Sequence, residues 1–141
     1  MKIDIPTGDL DICGTTIPSL LTLRAAMQGR SFQSAERSHL PGGYTKLVLE
    51  FRCDDCGYIV WTYFLGDRLS CVSIYLVDHA QEEGWSNWSE AAESASLDKL
   101  VKVLTQQGIS NGQRFSWGDV SASYDPRAGV AGTTIRYLRR G

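Results

Sequence analysis

The stretch TKLVLEFRCDDCGYIVWTYFLGDRLSCVSIYLV, residues 45–77, decides the fold class. It contains three runs in which apolar side chains recur at every second position, the period of a strand with one face buried. Residues 45–52 place Leu47, Leu49 and Phe51 on one face. Residues 57–64 are rich in β-branched and aromatic side chains, and residues 69–77 align Val72, Ile74 and Leu76. Short polar connections separate the runs, Asp54-Asp55 first and then Leu65-Gly66-Asp67-Arg68. Three consecutive strands with hairpin-length connections form an antiparallel meander.

Register follows from the turn. A two-residue turn at Asp54-Asp55 places Leu47, Leu49 and Phe51 opposite Thr62, Val60 and Tyr58. An odd turn places them with Tyr63, Trp61 and Ile59, the more apolar set, and a one-residue slip exchanges every face. Gly57 suits the left-handed position of a bulged turn. The expectation is therefore an odd turn and a core face of Leu47, Leu49, Phe51, Ile59, Trp61, Tyr63, Val72, Ile74 and Leu76.

Outward from the meander, Pro41-Gly42-Gly43 is a turn and 31–38 an upstream strand. Residues 2–13 read as an edge strand or an irregular arm. Thr16 as N-cap, Pro18 in the first turn and Leu20, Leu21, Arg24 and Met27 at helical spacing predict a helix over 17–28, ended by a left-handed Gly29. Downstream, Ser96 as cap, Asp98 in the first turn and the stripe Leu97, Leu100, Val101, Leu104 predict a second helix, with Gly108 as its stop and a preceding turn from Ser89 allowed. Two strands, 114–124 and 131–139, close the chain around Asp125-Pro126-Arg127-Ala128-Gly129, and Gly118 marks a bulge. The whole is α+β: an antiparallel sheet of about five to seven strands with two helices packed on one face and the other face partly open.

The 141 residues fit a single globular domain, 1–141. The 43% apolar and 21% charged fractions are ordinary for a soluble protein, and the net charge of −2 gives no general affinity for nucleic acid. The opening MKIDIPTGDLDIC lacks a secretory pattern, and no segment has the roughly 20 apolar residues of a membrane span, so the expected compartment is the cytoplasm.

Charge is distributed unevenly. From residue 69 to residue 98 there is no Lys or Arg, while Asp78, Glu82, Glu83, Glu90, Glu93 and Asp98 all fall there, with Trp85 and Trp88 beside Gly84. An acidic surface set with rigid aromatics steers and anchors a basic protein partner and repels nucleic acid and anionic membrane. The bland alternatives are a solvated face and tryptophans folded back on the sheet edge. The candidate partner-binding residues are Asp78, Glu82, Glu83, Trp85, Trp88, Asp54, Asp55 and Asp67. Trp61 and Trp117 lie in strand patterns and are expected in the core.

No catalytic or cofactor motif stands out. His39 and His79 lack a nucleophile elbow, and no phosphate-binding glycine loop is present. Asp54, Asp55 and Asp67 allow a divalent cation, but aspartate is also an ordinary hairpin-turn residue. Cys53 and Cys56 have C-x2-C spacing, with lone Cys13 and Cys71 as further ligands, yet structural zinc sites use two close pairs. Free thiols are the expectation, so neither metal nor cofactor is assigned. Arg136, Arg139 and Arg140 near the end suggest RNA only thinly, and an exposed sheet edge leaves a homodimer open.

One layout resembles a known family. Phe51-Arg52, the aromatic strand Tyr58–Phe64, Leu69–Val77, the Trp85/Trp88 loop, Phe115-x-Trp117-Gly118-x-Val120 before Tyr124-Asp125, and Ile135-x-Tyr137 are similar to small immunity proteins encoded beside bacterial polymorphic or type VI secreted toxins. The resemblance spans about two-thirds of the chain. It implies a non-enzymatic cytoplasmic inhibitor that binds a cognate toxin and covers its active site. A small-ligand or accessory domain using an open sheet face with Tyr58, Tyr75 and Thr62 is the alternative.

Overall fold

The computed structural model describes residues 1–29, 32, 35–53, 56–78, 90–125 and 130–138. The meander is present with strands longer than the sequence pattern alone shows: β5 (Tyr44–Cys53), β6 (Cys56–Leu65) and β7 (Arg68–Asp78). Before them lie β1 (Lys2–Ile3), β2 (Leu10–Ile12), β3 (Thr15–Ile17), α1 (Leu23–Gln28) and β4 (Glu36–Leu40). After them come α2 (Glu90–Gln106), β8 (Gln113–Phe115), β9 (Gly118–Asp125) and β10 (Val130–Tyr137). Seven strands form one antiparallel sheet in the order β4-β5-β6-β7-β10-β9-β8, and β1-β2-β3 form a small second sheet. The architecture is α+β.

The register of the first hairpin differs from the expectation. Cys53 pairs with Cys56 across a two-residue connection, so Leu47 faces Thr62, Leu49 faces Val60 and Phe51 faces Tyr58. The inward side of β6 is Val60, Thr62 and Phe64, all at 0% exposure. Ile59, Trp61 and Tyr63 are half-buried on the opposite face. Two details make this register work. Thr62 donates its hydroxyl to the Leu47 carbonyl at 3.1 Å, which satisfies the polar atom it takes into the core. A register shift between Tyr63 and Phe64 then sets Leu69 rather than Ser70 opposite Phe64, so that two buried side chains meet there. Gly57 is an ordinary strand residue without a positive φ. Trp61, expected in the core, is not on the core face.

The N-terminal region is corrected too. Thr16 lies in β3, paired with Asp11, and α1 starts only at Leu23. Its N-cap is Thr22, whose side chain accepts from the Ala25 N–H at 3.1 Å. Gly29 ends it at φ −79, outside the left-handed region, by donating to the carbonyls of Ala25 and Ala26. The hairpin β2–β3 turns at Cys13 (φ 51) and Gly14 (φ 81), two left-handed residues in a row as a type I′ turn requires. In the second helix Ser96 and Asp98 sit mid-helix rather than at its start, because the helix already begins at Glu90. Gly108 does stop the chain in the left-handed region, at φ 78.

One core joins these pieces. Leu47, Leu49, Val60, Val72, Ile74, Val120 and Ile135 from the large sheet meet Leu100 and Leu104 of α2 and Ile3, Leu10, Ile12 and Ile17 of the small sheet. Each such side chain contributes about 1.5–3 kcal/mol on burial. The two helices enter differently. α2 lies against β9 and β10, whereas six-residue α1 places Ala26 in the core and is tied to the β6–β7 turn. The N-terminal arm is fastened by later residues. Ile3 donates its N–H to the Gln107 side chain at 2.8 Å, the Trp117 indole donates to the Ile5 carbonyl at 2.7 Å, and the Tyr137 hydroxyl donates to the Gly8 carbonyl at 2.8 Å.

Candidate functional site

Strand register sorts the acidic candidates by position. At one end of the sheet Cys53 pairs with Cys56 and Cys56 with Asp78. Asp54-Asp55 connects the first pair, and residues 79–89 leave from Asp78 toward α2. The Asp125–Val130 pair that opens the β9–β10 hairpin is at this end as well. Neighbouring strands run about 4.8 Å apart, so the strand ends Cys53, Cys56, Asp78, Val130 and Asp125 share one end of the sheet. Asp54, Asp55, Glu82, Glu83, Trp85 and Trp88 fall outside the described residues, as does His79, and Asp78 is placed by its backbone.

Asp67 stands apart. It belongs to the Gly66-Asp67 turn at the other end of β6, a ten-residue strand, and so about 30 Å from Asp78. Its carboxylate accepts the Arg24 N–H at 2.9 Å and its carbonyl accepts the Leu23 N–H at 3.0 Å. Those bonds satisfy two backbone donors of the first turn of α1.

This end of the sheet carries a covalent tie. Cys13, in the β2–β3 turn, is joined to Cys53 by a disulfide, with the Cα atoms 5.4 Å apart. The expectation of free thiols is corrected at this pair, and Cys53 bonds to Cys13 rather than to its C-x2-C neighbour Cys56. Disulfides persist in oxidising surroundings and are rare in the cytosol, so the bond is out of keeping with a permanently reducing compartment. Cys71 is a free, half-buried thiol. Burial raises its pKa, opposed by a hydrogen bond to Ser73 and by the Arg136 charge, so the nucleophilic thiolate is disfavoured. His39 lies exposed on edge strand β4. Among the described residues no three His, Cys, Asp or Glu side chains gather as metal ligands.

The face of the sheet away from the core presents aromatics. Trp61 and Tyr75 meet edge to face with centroids 5.1 Å apart, and the Lys46 ammonium sits 4.5 Å from the centre of the Trp61 ring. Tyr75 lies across Gly132, where a Cβ would come within 2.8 Å of its ring. Burial and the neighbouring Tyr75 and Cys71 push the Tyr63 hydroxyl up to about 12. Of the three residues expected to line an open face, only Tyr75 is there; Thr62 and Tyr58 alternate onto the core side.

With the fold in view, comparison with known proteins is informative at one level. No family model matches the chain, and no curated protein matches it. A solved structure does. A chain in the structure described as "Rhs1-CT in complex with cognate immunity protein RhsI1" superposes with a TM-score of 0.59 at 15% identity, over 96% of this chain and 85% of that one. The two chains share a fold. At this identity the likeness is one of architecture.

A second surface was missed from the sequence. Leu20 and Leu138 are 70% and 60% exposed and flank a groove with Trp117 and Leu69 at its base. Leu20 had read as part of a helical stripe and Leu138 as part of a strand, so neither pattern marked them as surface. Leu138 directly follows the end of β10, and Leu20 lies in the connection between β3 and α1.

Proposed function

We propose that this chain is a non-enzymatic, protein-binding inhibitor of the immunity type, which neutralises a toxin by covering its active site. The single observation that carries the reading is the shared fold, spanning 96% of the chain, with a structure that pairs a toxin with its immunity protein. In this reading the contact lies at the end of the sheet where β7 finishes at Asp78. It would draw on Asp78 with Asp54 and Asp55, which follow β5 in the sequence, and with Glu82, Glu83, Trp85 and Trp88, which follow β7 in the sequence. The acids attract a basic toxin surface, and a tryptophan fills a pocket on it. Asp67 is left out of the contact, being at the far end and engaged with α1.

The same charge disfavours nucleic acid and anionic membrane as partners. Among the described residues no helix is long and apolar enough to cross a membrane. The two edges of the large sheet are β4 and β8. Glu36, Arg37 and His39 on β4 give that edge a charge pattern that discourages self-pairing.

The test is capture of a partner from the host's own lysate, washed at low and at high salt, followed by rescue of cells expressing that partner. A basic, lethal protein retained at low salt and neutralised by this chain is the expected result. Glu82→Lys with Glu83→Lys slows its association at low salt. An unchanged on-rate removes these acids from the contact, and failure to rescue removes the inhibitor reading.

A further inference from the structure

The groove between Leu20 and Leu138 lies at the end of the sheet opposite Asp78, beside the Leu65–Arg68 pair. Its volume is about 190 Å³. Sites for whole small molecules run to about 300–1,000 Å³. This one is the size of a single large side chain. Trp117, 2% exposed, and Leu69, 6% exposed, make a floor that is held in place. The Trp117 indole donates to Ile5 and its ring stacks on Phe115 at 4.8 Å, while the Tyr137 hydroxyl at the wall is committed to Gly8. The floor therefore offers apolar contact and few free polar atoms.

The rim is different. Arg68 lines the groove, and among the described residues its guanidinium has no ion-pair or hydrogen-bond partner. Nearby Asp67 is occupied by the Arg24 N–H. Two leucines more than half exposed on either side of a rigid aromatic floor, with the cation of Arg68 at the edge, form an anchor pocket with a polar border.

We propose that this groove docks a partner-protein segment presenting a large apolar side chain next to a carboxylate. The apolar group fills the space above Trp117 and Leu69, and the carboxylate pairs with Arg68, whose fork suits it bidentately. The site is separate from the end of the sheet at Asp78 and stands whether or not the inhibitor reading holds.

The probes are blocked dipeptides titrated into the full chain, read by amide chemical shifts. Acetyl-Phe-Glu-amide is expected to shift Leu20, Thr22, Arg68 and Leu138 saturably. Acetyl-Phe-Lys-amide and acetyl-Gly-Glu-amide bind about fivefold or more weakly, the scale of an exposed ion pair. Arg68→Glu, on an exposed side chain, reverses the preference toward the Lys peptide. Leu138→Ser weakens both Phe peptides and leaves their ranking intact. Absence of saturable shifts at these residues, an equal response to Glu and Lys peptides, or an unchanged ranking in Arg68→Glu overturns the proposal. Concentration-dependent shifts of the same residues without peptide assign the groove to a second copy of the chain and overturn it as well.

Discussion

Thr62 and Leu47 face each other across β5 and β6, and the Thr62 hydroxyl donates to the Leu47 carbonyl at 3.1 Å inside the core. This bond lets a polar side chain occupy a position that the hairpin register gives to the buried face. Thr62→Val keeps the shape and removes the donor. The expected loss is about 1 kcal/mol, measured as a shift of the urea midpoint. Leu47→Ala, 1% exposed in the native chain, is expected to cost about 2–5 kcal/mol. Equal losses from the two would contradict the register.

The Cys13–Cys53 bridge closes a loop with a sequence separation of 40. In the chain-entropy account such a crosslink is worth about 4 kcal/mol through the unfolded state. Cys13→Ser is expected to lower the melting temperature by that order. A reductant should lower the wild type to the level of the variant and leave the variant unmoved. A melting temperature indifferent to reductant, with Cys13 and Cys53 recovered as thiols in a mass map, would show that the bridge does not form.

Gly118 opens β9 with no room for a side chain. A Cβ there would lie 1.8 Å from the Arg136 carbonyl oxygen, which is backbone and held in the β9–β10 ladder. Gly118→Ala is expected to cost about 3 kcal/mol by forcing the strands apart. Gly132→Ala meets the Tyr75 ring at 2.8 Å and the Ile74 carbonyl oxygen only at 3.2 Å, a far milder backbone contact, so a smaller loss of about 1 kcal/mol is expected. Denaturant unfolding ranks the two, and the reverse order would refute the assignment of the rigid neighbour.

Two tyrosines set an alkaline limit. Burial first, then the charge of Asp9, raises the Tyr137 hydroxyl, and burial raises Tyr63 to about 12. A raised folded-state pKa means that the native chain holds its proton where the unfolded chain releases it, near pH 10. Their stabilisation is complete below about pH 10 and is lost as pH rises toward 12. Tyr137→Phe should flatten this decline in a melting-temperature profile from pH 8 to 12. An unchanged slope would place the titration elsewhere.

The sequence made the large sheet legible because its period is local. Alternation along 45–52 and 69–77 identifies the inward residues without any knowledge of neighbours. The face of β6 was not legible. Both of its faces are apolar, and its register hung on one turn and on a shift that only the pairing with β7 creates. Helix α1 was overextended because Leu20 and Leu21 match a helical stripe. The strand Thr15–Ile17 instead pairs back on β2, and the Ser19 N–H is taken by the Asp9 side chain at 2.8 Å. Of the acidic candidates, composition marked the residues, while only the topology shows that Asp67 lies at the opposite end of β6 from Asp78. The groove at Leu20 was invisible because residues 118 positions apart in the chain form it.

The N-terminal arm has a consequence for how the chain comes into being. Its fastenings reach across 104, 112 and 129 residues, to Gln107, Trp117 and Tyr137. During synthesis the arm is made well before these three partners and can pair at first only within its own small sheet. Its apolar side chains, Ile3 and Leu10 among them, wait until nearly the whole chain has been made. The arm's side of the core can thus be fastened only once Gln107, Trp117 and Tyr137 have been made.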